Sequence, residues 1–132
     1  NGSTVVHPVA GQIDVEFRLP LNHVVADDLF ASVLAEKVLT SASSLTDLGA
    51  GVGQFGHSLK ARLPNLAYYG YDGGGNVEEF TSGYVSFADL TVPLSLKQTD
   101  WVFSSEVGEH IPNQHEAQVI ANIHAHNCKG VV

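Results

Sequence analysis

The sequence predicts an α/β fold, a doubly wound and mostly parallel sheet with helices on both faces. Three observations carry that expectation. From residue 26 onward, short β-prone runs alternate with stretches of helical apolar spacing. The run Ser44-Leu45-Thr46 leads directly into a glycine-rich turn, "DLGAGVGQFG" at residues 47–56. No internal repeat or low-complexity segment competes with the alternation, and right-handed crossovers then restrict the topology to the doubly wound kind.

Residues 1–25 carry Pro8, Gly11, Pro20 and Asn22 among β-prone stretches such as Ile13–Phe17, and read as an irregular N-terminal lead-in holding a strand or hairpin. The core is expected over residues 26–132. Leu29, Phe30, Val33, Leu34 and Val38 recur at helical spacing, with Asp27 and Asp28 at the positive end of the dipole, so a helix is expected over 26–40. Leu45–Leu48 reads as a buried strand, 53–63 as a helix closed by Pro64, and Leu66–Tyr71 as the second strand. A short helix over Val77–Thr81 follows the Gly73-Gly74-Gly75 turn; Tyr84–Ala88 and Asp100–Ser105 supply two more strands. Asn113 with Glu116 resembles a capping box opening a helix through Ala117, Ile120, Ile123 and His124. Gly130–Val132 begins a fifth strand.

A chain of 132 residues suits one domain with a single core, and 44% hydrophobic with 15% charged residues is an ordinary globular balance. Six Lys and Arg against fourteen Asp and Glu give a net charge of −8, which repels phosphodiester backbones and anionic lipid and disfavours duplex nucleic acid as a partner. No apolar run reaches the roughly 20 residues of a membrane span, and no basic-then-apolar signal pattern opens the chain. A soluble, cytoplasmic protein with no membrane partner is expected. Cys128 is alone, which excludes an internal disulfide and a cysteine-rich zinc site; it reads as a small buried apolar side chain near a strand. With no Met and a start at Asn1-Gly2-Ser3, the chain reads as a processed or excised piece.

The glycine run aligns in two ways. Gly51-x-Gly53-x-x-Gly56 fits a dinucleotide fingerprint, with Asp72 downstream for a ribose diol. That alignment extends the strand to Ala50 and places Asp47 inside it, where an unpaired carboxylate costs several kcal/mol or takes up a proton. The other alignment ends the strand at Asp47 and uses Gly49, Gly51 and Gly53 as the loop, with the carboxylate at the mouth of the crevice. This suits S-adenosylmethionine, whose ammonium and sulfonium are cationic and which lacks a pyrophosphate. Asp72 can accept both ribose hydroxyls, and Asp89 after the third strand is placed for the adenine amino group. A tight turn with no ligand is the plain structural reading of the same glycines.

From "LTDLGAGVG" through "YYGYDG" and "VSFADL" to "DWVFSSEVGEHIP", residues 26–132 resemble the class I S-adenosylmethionine-dependent methyltransferases. The resemblance implies a Rossmann-like sheet and methyl transfer to a small-molecule acceptor. It implies amino-group contact around Asp47, Gly49, Ala50, Gly51 and Gly53, ribose contact at Asp72 and Gly73, and adenine contact at Asp89 and Leu90. Ser104, Ser105 and Glu106 would line the cofactor cleft. The family sheet normally runs through three more strands, so this one is expected to be incomplete at its C-terminal end, with an exposed sheet edge open to self-association. Two other classes stay open: an NAD-binding oxidoreductase domain and a non-catalytic cofactor-binding or interaction module.

Glu106, Glu109 and His110 are spaced i, i+3, i+4 and would converge on a helix, where they could ligate a divalent cation. The stretch looks like the Glu-x-x-Glu-His motif of metal-assisted O-methyltransferases. In methyltransferases without metal, the acids of such a stretch line the cleft and the histidine packs locally. Glu106 and His110 are the candidate catalytic residues, as acceptors of the substrate's proton. His7, His23, His57 and His115 read as surface or half-buried side chains, and His124 and His126, two apart and on different helix faces, make a poor chelate.

Overall fold

The computed structural model describes residues 25–132 together with two N-terminal strands. These, β1 (Ser3–Val9) and β2 (Gln12–Arg18), pair antiparallel with Ser3 opposite Arg18 and Val9 opposite Gln12. The side chain of His7, and all of His23, lie outside the described residues.

The central sheet has five strands: β3 (Ser44–Leu48), β4 (Ala67–Asp72), β5 (Val85–Phe87), β6 (Thr99–Phe103) and β7 (Asn127–Val131). Their spatial order is β5-β4-β3-β6-β7 and every neighbouring pair is parallel. The chain winds outward from β3 in one direction and then from β6 in the other. The topological switch point therefore lies between β3 and β6, where such sheets open a crevice beyond their carboxyl ends.

Helices α1 (Asp28–Val33), α2 (Gln54–Arg62), α3 (Val77–Phe80) and α4 (Glu116–His126) connect the strands. The side chain of Asp27 caps α1 by accepting from Phe30 N–H at 2.8 Å, and Asp28 reaches across to Arg62 of α2 at 2.7 Å. Past Val33 the helix continues as a π-helical turn over Leu34–Val38, closed by Leu39 N–H to Leu34 C=O at 2.8 Å. The buried stripe of this helix is Ala31, Leu34, Ala35 and Leu39, whereas Leu29 and Val33 of the expected apolar face are exposed.

Strand alternation separates two cores. Leu45 packs with α1 and α2 through Leu34, Leu39 and Leu59 and with Phe103, while Leu48 packs on the opposite face with Leu90, Val102 and Val119 of α4. Burying such aliphatic side chains contributes roughly 1.5–3 kcal/mol each.

The second half of the chain departs from expectation in three places. The capping box does not form: Asn113–His115 makes a 3₁₀ turn after Pro112, and α4 begins at Glu116 with no side-chain cap. The inward face of α4 is Val119, Asn122, Ile123 and His126, leaving Ile120 exposed. His126 is buried, accepting from Leu96 N–H at 2.9 Å through Nε2 and donating through Nδ1 to Asn122 C=O. Cys128 is exposed, because it lies on β7 at the edge of the described sheet. No helix among the described residues is long and apolar enough to cross a membrane.

Candidate functional site

The site is built at the carboxyl ends of β5, β4, β3 and β6. Strand β3 runs one residue past Asp47, so its carboxylate is not at the mouth of the crevice but on its floor, 2% exposed and on the same face of the strand as Leu45. The hydroxyl of Tyr68, on neighbouring β4, donates to Asp47 Oδ2 at 2.7 Å. Burial pushes the Asp47 carboxyl up to about 7; the Tyr68 hydrogen bond opposes this and the charge of Asp72 adds to it.

A cavity of about 290 Å³ opens beside Asp47. Three carboxylates line it, Asp27, Asp47 and Glu106, as do the rings of Phe30, Phe55 and Phe103, and among the described residues no Lys, Arg or His is in its walls. The rings form one cluster, with centroids 5.9, 6.1 and 5.1 Å apart. Acids and aromatic faces without a base make a chamber that attracts a cation. The side chain of Gln54 is also in the wall, and its buried Oε1 has no partner among the described residues.

Gly49 occupies the left-handed region at φ +84°, and any Cβ there would collide with Val107. Its N–H and that of Ala50 both donate to Tyr71 C=O, at 2.8 and 2.9 Å. Gly53 N–H donates to Ala50 C=O and Gly51 N–H to Asp72 Oδ2, both at 2.9 Å. Four of the loop's amide groups, those of Gly49, Ala50, Gly51 and Gly53, are thus committed within the protein. Gly56, the last glycine of the dinucleotide fingerprint, has a packing role: a Cβ there would collide with the ring of Tyr68.

Asp72 ends β4, 8% exposed, and accepts Gly51 N–H through Oδ2 and Gly74 N–H at 2.8 Å through Oδ1. Burial raises its pKa, against the pull of those two amides. Gly74 supplies the amide, while the neighbouring Gly73 is exposed. Asp89, just past β5, is exposed; its Oδ1 accepts the N–H and hydroxyl of Thr91 at 2.9 and 2.6 Å. Leu90 sends its side chain into the core, so a contact from it to adenine would come from its backbone. The three aspartates therefore stand at the ends of three adjacent strands.

After β6, Ser104 ties the switch point together, its hydroxyl donating to Leu48 C=O at 2.9 Å. Ser105 and Glu106 line the acidic cavity, and Glu106 adopts φ +56°, a left-handed conformation that costs a non-glycine residue of order 1 kcal/mol. Glu106 also walls a second cavity of about 710 Å³, with Val107, Ile111 and Glu109 on one side and Val119, Ile120 and Ile123 of α4 on the other. The Glu-x-x-Glu-His stretch is not an α-helix. Gly108–His110 is a 3₁₀ turn, ended at Ile111 before Pro112, so the expected convergence of Glu106 with Glu109 and His110 does not occur. Glu109 and His110 approach each other at 3.4 Å, and no three His, Cys, Asp or Glu among the described residues are arranged to hold a metal ion. His110 is exposed and lines neither cavity.

No protein-family model matches this sequence, and no curated protein does. Solved structures do match. An O-methyltransferase family protein from Burkholderia thailandensis superposes with a TM-score of 0.63 at 18% identity, over 76% of this chain and 34% of that one. An amino pentose methyltransferase from Micromonospora echinaspora, solved with S-adenosylmethionine bound, gives 0.62 at 15% identity over 76% and 46%. The chain has the methyltransferase fold. The plantazolicin methyltransferase, in complex with a substrate analogue and S-adenosylhomocysteine, shares that fold with a TM-score of 0.59 at 17% identity, over 76% of this chain and 41% of its own. The chain spans less than half the length of each of these methyltransferases.

Proposed function

We propose that this chain is the cofactor-binding core of an S-adenosylmethionine-dependent methyltransferase acting on a small-molecule acceptor. The observation that carries the reading is the cavity at the switch point, walled by Asp27, Asp47, Glu106 and three phenylalanine rings, with no base among the described residues that line it. Such a chamber suits a ligand whose ammonium and sulfonium are both cationic, and it repels the pyrophosphate of a nicotinamide dinucleotide. The commitment of the Gly49, Ala50, Gly51 and Gly53 amides to Tyr71, Asp72 and Ala50 leaves fewer donors for such a group.

Asp47 would pair with the amino group, and bare Gly49 lets the methionyl end lie against the loop. Asp72 keeps a second lone pair on each oxygen for ribose hydroxyls, and Asp89 Oδ2 faces no partner among the described residues. S-adenosylmethionine would supply an electrophilic methyl group. The chain's own contribution is to hold donor and acceptor in line and exclude water, an alignment effect of about 7–11 kcal/mol. The second cavity, which α4 lines with Val119, Ile120 and Ile123 beside Glu116 and which meets the first at Glu106, is the place for the acceptor. Glu106 stands where it can take the acceptor's proton; His110, outside both cavities, does not.

Calorimetry with S-adenosylmethionine, S-adenosylhomocysteine and NAD tests this directly. Both sulfur ligands are expected to bind with Kd of order micromolar, near −8 kcal/mol, with NAD silent. Asp72→Ala should weaken the sulfur ligands by at least about tenfold, or 1.4 kcal/mol. Binding of NAD alone would reverse the assignment.

A further inference from the structure

Resting on the reading just given, the geometry points to Tyr68 as a positioning residue: it holds Asp47 in place on the cavity floor and thereby sets the pH range in which the cationic amino end of the cofactor is accepted. Nothing about the residue type requires this; a tyrosine in a parallel strand is ordinarily core. Here its ring sits in a slot that only glycine leaves open. A Cβ at Gly56 would collide with the ring, and one at Gly70 would come within 2.9 Å of the hydroxyl. Tyr84 stacks on the ring at 5.4 Å, and His57 on Tyr84 at 4.1 Å, which closes the slot from the side. So fixed, the hydroxyl delivers its proton to Asp47 Oδ2 at 2.7 Å. Among the described residues nothing bonds Oδ1, and Asp47 lines the cavity. One oxygen is thus held by protein and the other is left for a ligand.

The groups around Asp47 make its ionisation depend on that single donor. From β4 it faces Tyr68 and Asp72, from the turn before β5 Tyr84, from beyond β6 Glu106, and from the start of α1 Asp27. His57 of α2 is on the far side of Tyr84. Among the described residues every ionisable neighbour that lines the cavity is acidic, and none of them is a cation that would stabilise the carboxylate before ligand arrives. Among the described residues the Tyr68 hydroxyl is the one group that favours the charged form. Without it, Asp47 would hold its proton to higher pH, and cofactor binding would have to displace that proton.

The test is calorimetric titration of S-adenosylhomocysteine into the wild type and Tyr68→Phe between about pH 6 and 8.5, beside a ¹³C NMR titration of the Asp47 carboxyl in the unliganded proteins. In the wild type, affinity should rise about tenfold per pH unit up to near pH 7 and then level, tracking the carboxyl resonance. In Tyr68→Phe both the plateau and the resonance midpoint should move to higher pH. Affinity that is flat across this range in the wild type, with binding intact, overturns the inference and leaves the methyltransferase reading standing. An equal loss at every pH in Tyr68→Phe, with an unmoved carboxyl midpoint, overturns it as well, because it would mark a purely structural ring. If the variant does not fold, the wild-type resonance and affinity profile decide alone. Absence of binding by the wild type at every pH removes both this inference and the reading beneath it.

Discussion

The most informative residue is Asp47, because the fold keeps it where a carboxylate is costly. Its carboxyl is held near 7 against an ordinary 3.8. Between those values the unfolded chain gives up a proton that the folded chain retains, so stability falls as pH rises through the window and is constant above it. At about 1.4 kcal/mol per unit, the penalty at pH 8 is of order 4 kcal/mol. Asp47→Asn keeps the shape and the Tyr68 bond but removes the charge. It is expected to match the wild type in thermal unfolding near about pH 4 and to be more stable by an amount of order 4 kcal/mol at about pH 8. S-adenosylhomocysteine binding should be lost in the same protein. An asparagine variant that is less stable at both pH values would mean the charge is compensated in the native state. At this scale the position of the three aspartates at or near the ends of neighbouring strands was legible from the β-prone runs before them, whereas the burial of Asp47 inside β3 was not. Nor was the role of Tyr68, since its partner lies on another strand and Gly56, which makes room for its ring, lies on α2.

Among the elements, α4 does the least obvious work. Its Asn122 donates to Leu90 C=O and Val92 C=O and accepts from Leu94 N–H, and His126 one turn later accepts from Leu96 N–H. Two polar side chains on the buried face thus fasten the long connection that follows Asp89. Leaving those backbone groups unpaired costs about 1–3 kcal/mol each where water cannot reach them. Asn122→Ala is therefore expected to destabilise the protein by about 2–3 kcal/mol and to speed hydrogen exchange at Leu94 and Leu96 more than in β3. Uniform acceleration through the sheet would instead make Asn122 a general core residue. The same helix shows where sequence reading stops. Strand and helix positions were set by apolar period and turn residues, and they stand within a few residues of expectation. The face of a short helix was not, because Asn and His read as polar and their buried backbone partners lie some 30 residues away. The capping box failed for a local reason: Pro112 starts a 3₁₀ turn that takes Asn113 out of the cap position.

At the scale of the whole molecule, the doubly wound, mostly parallel topology was legible because crossover handedness leaves few ways to wind alternating strands and helices. The division of the crevice into two cavities at Glu106 was not, since it arises from a left-handed residue and a 3₁₀ turn where spacing alone allowed an α-helix. What composition did convey is charge. The chain carries a net −8, and three of its carboxylates converge on one small chamber. S-adenosylmethionine carries one more positive charge than S-adenosylhomocysteine, so the two ligands differ mainly in how they respond to the protein's field. Raising salt from about 0.01 M to 1 M shortens the screening length from roughly 30 Å to 3 Å. Affinity for S-adenosylmethionine should then fall several-fold, and affinity for S-adenosylhomocysteine by less than about twofold. Calorimetry of both ligands across that range checks the difference. Parallel curves would show that the acids of the chamber are screened or protonated when the sulfonium arrives, and the cation-selective character assigned to this site would then belong to its aromatic walls alone.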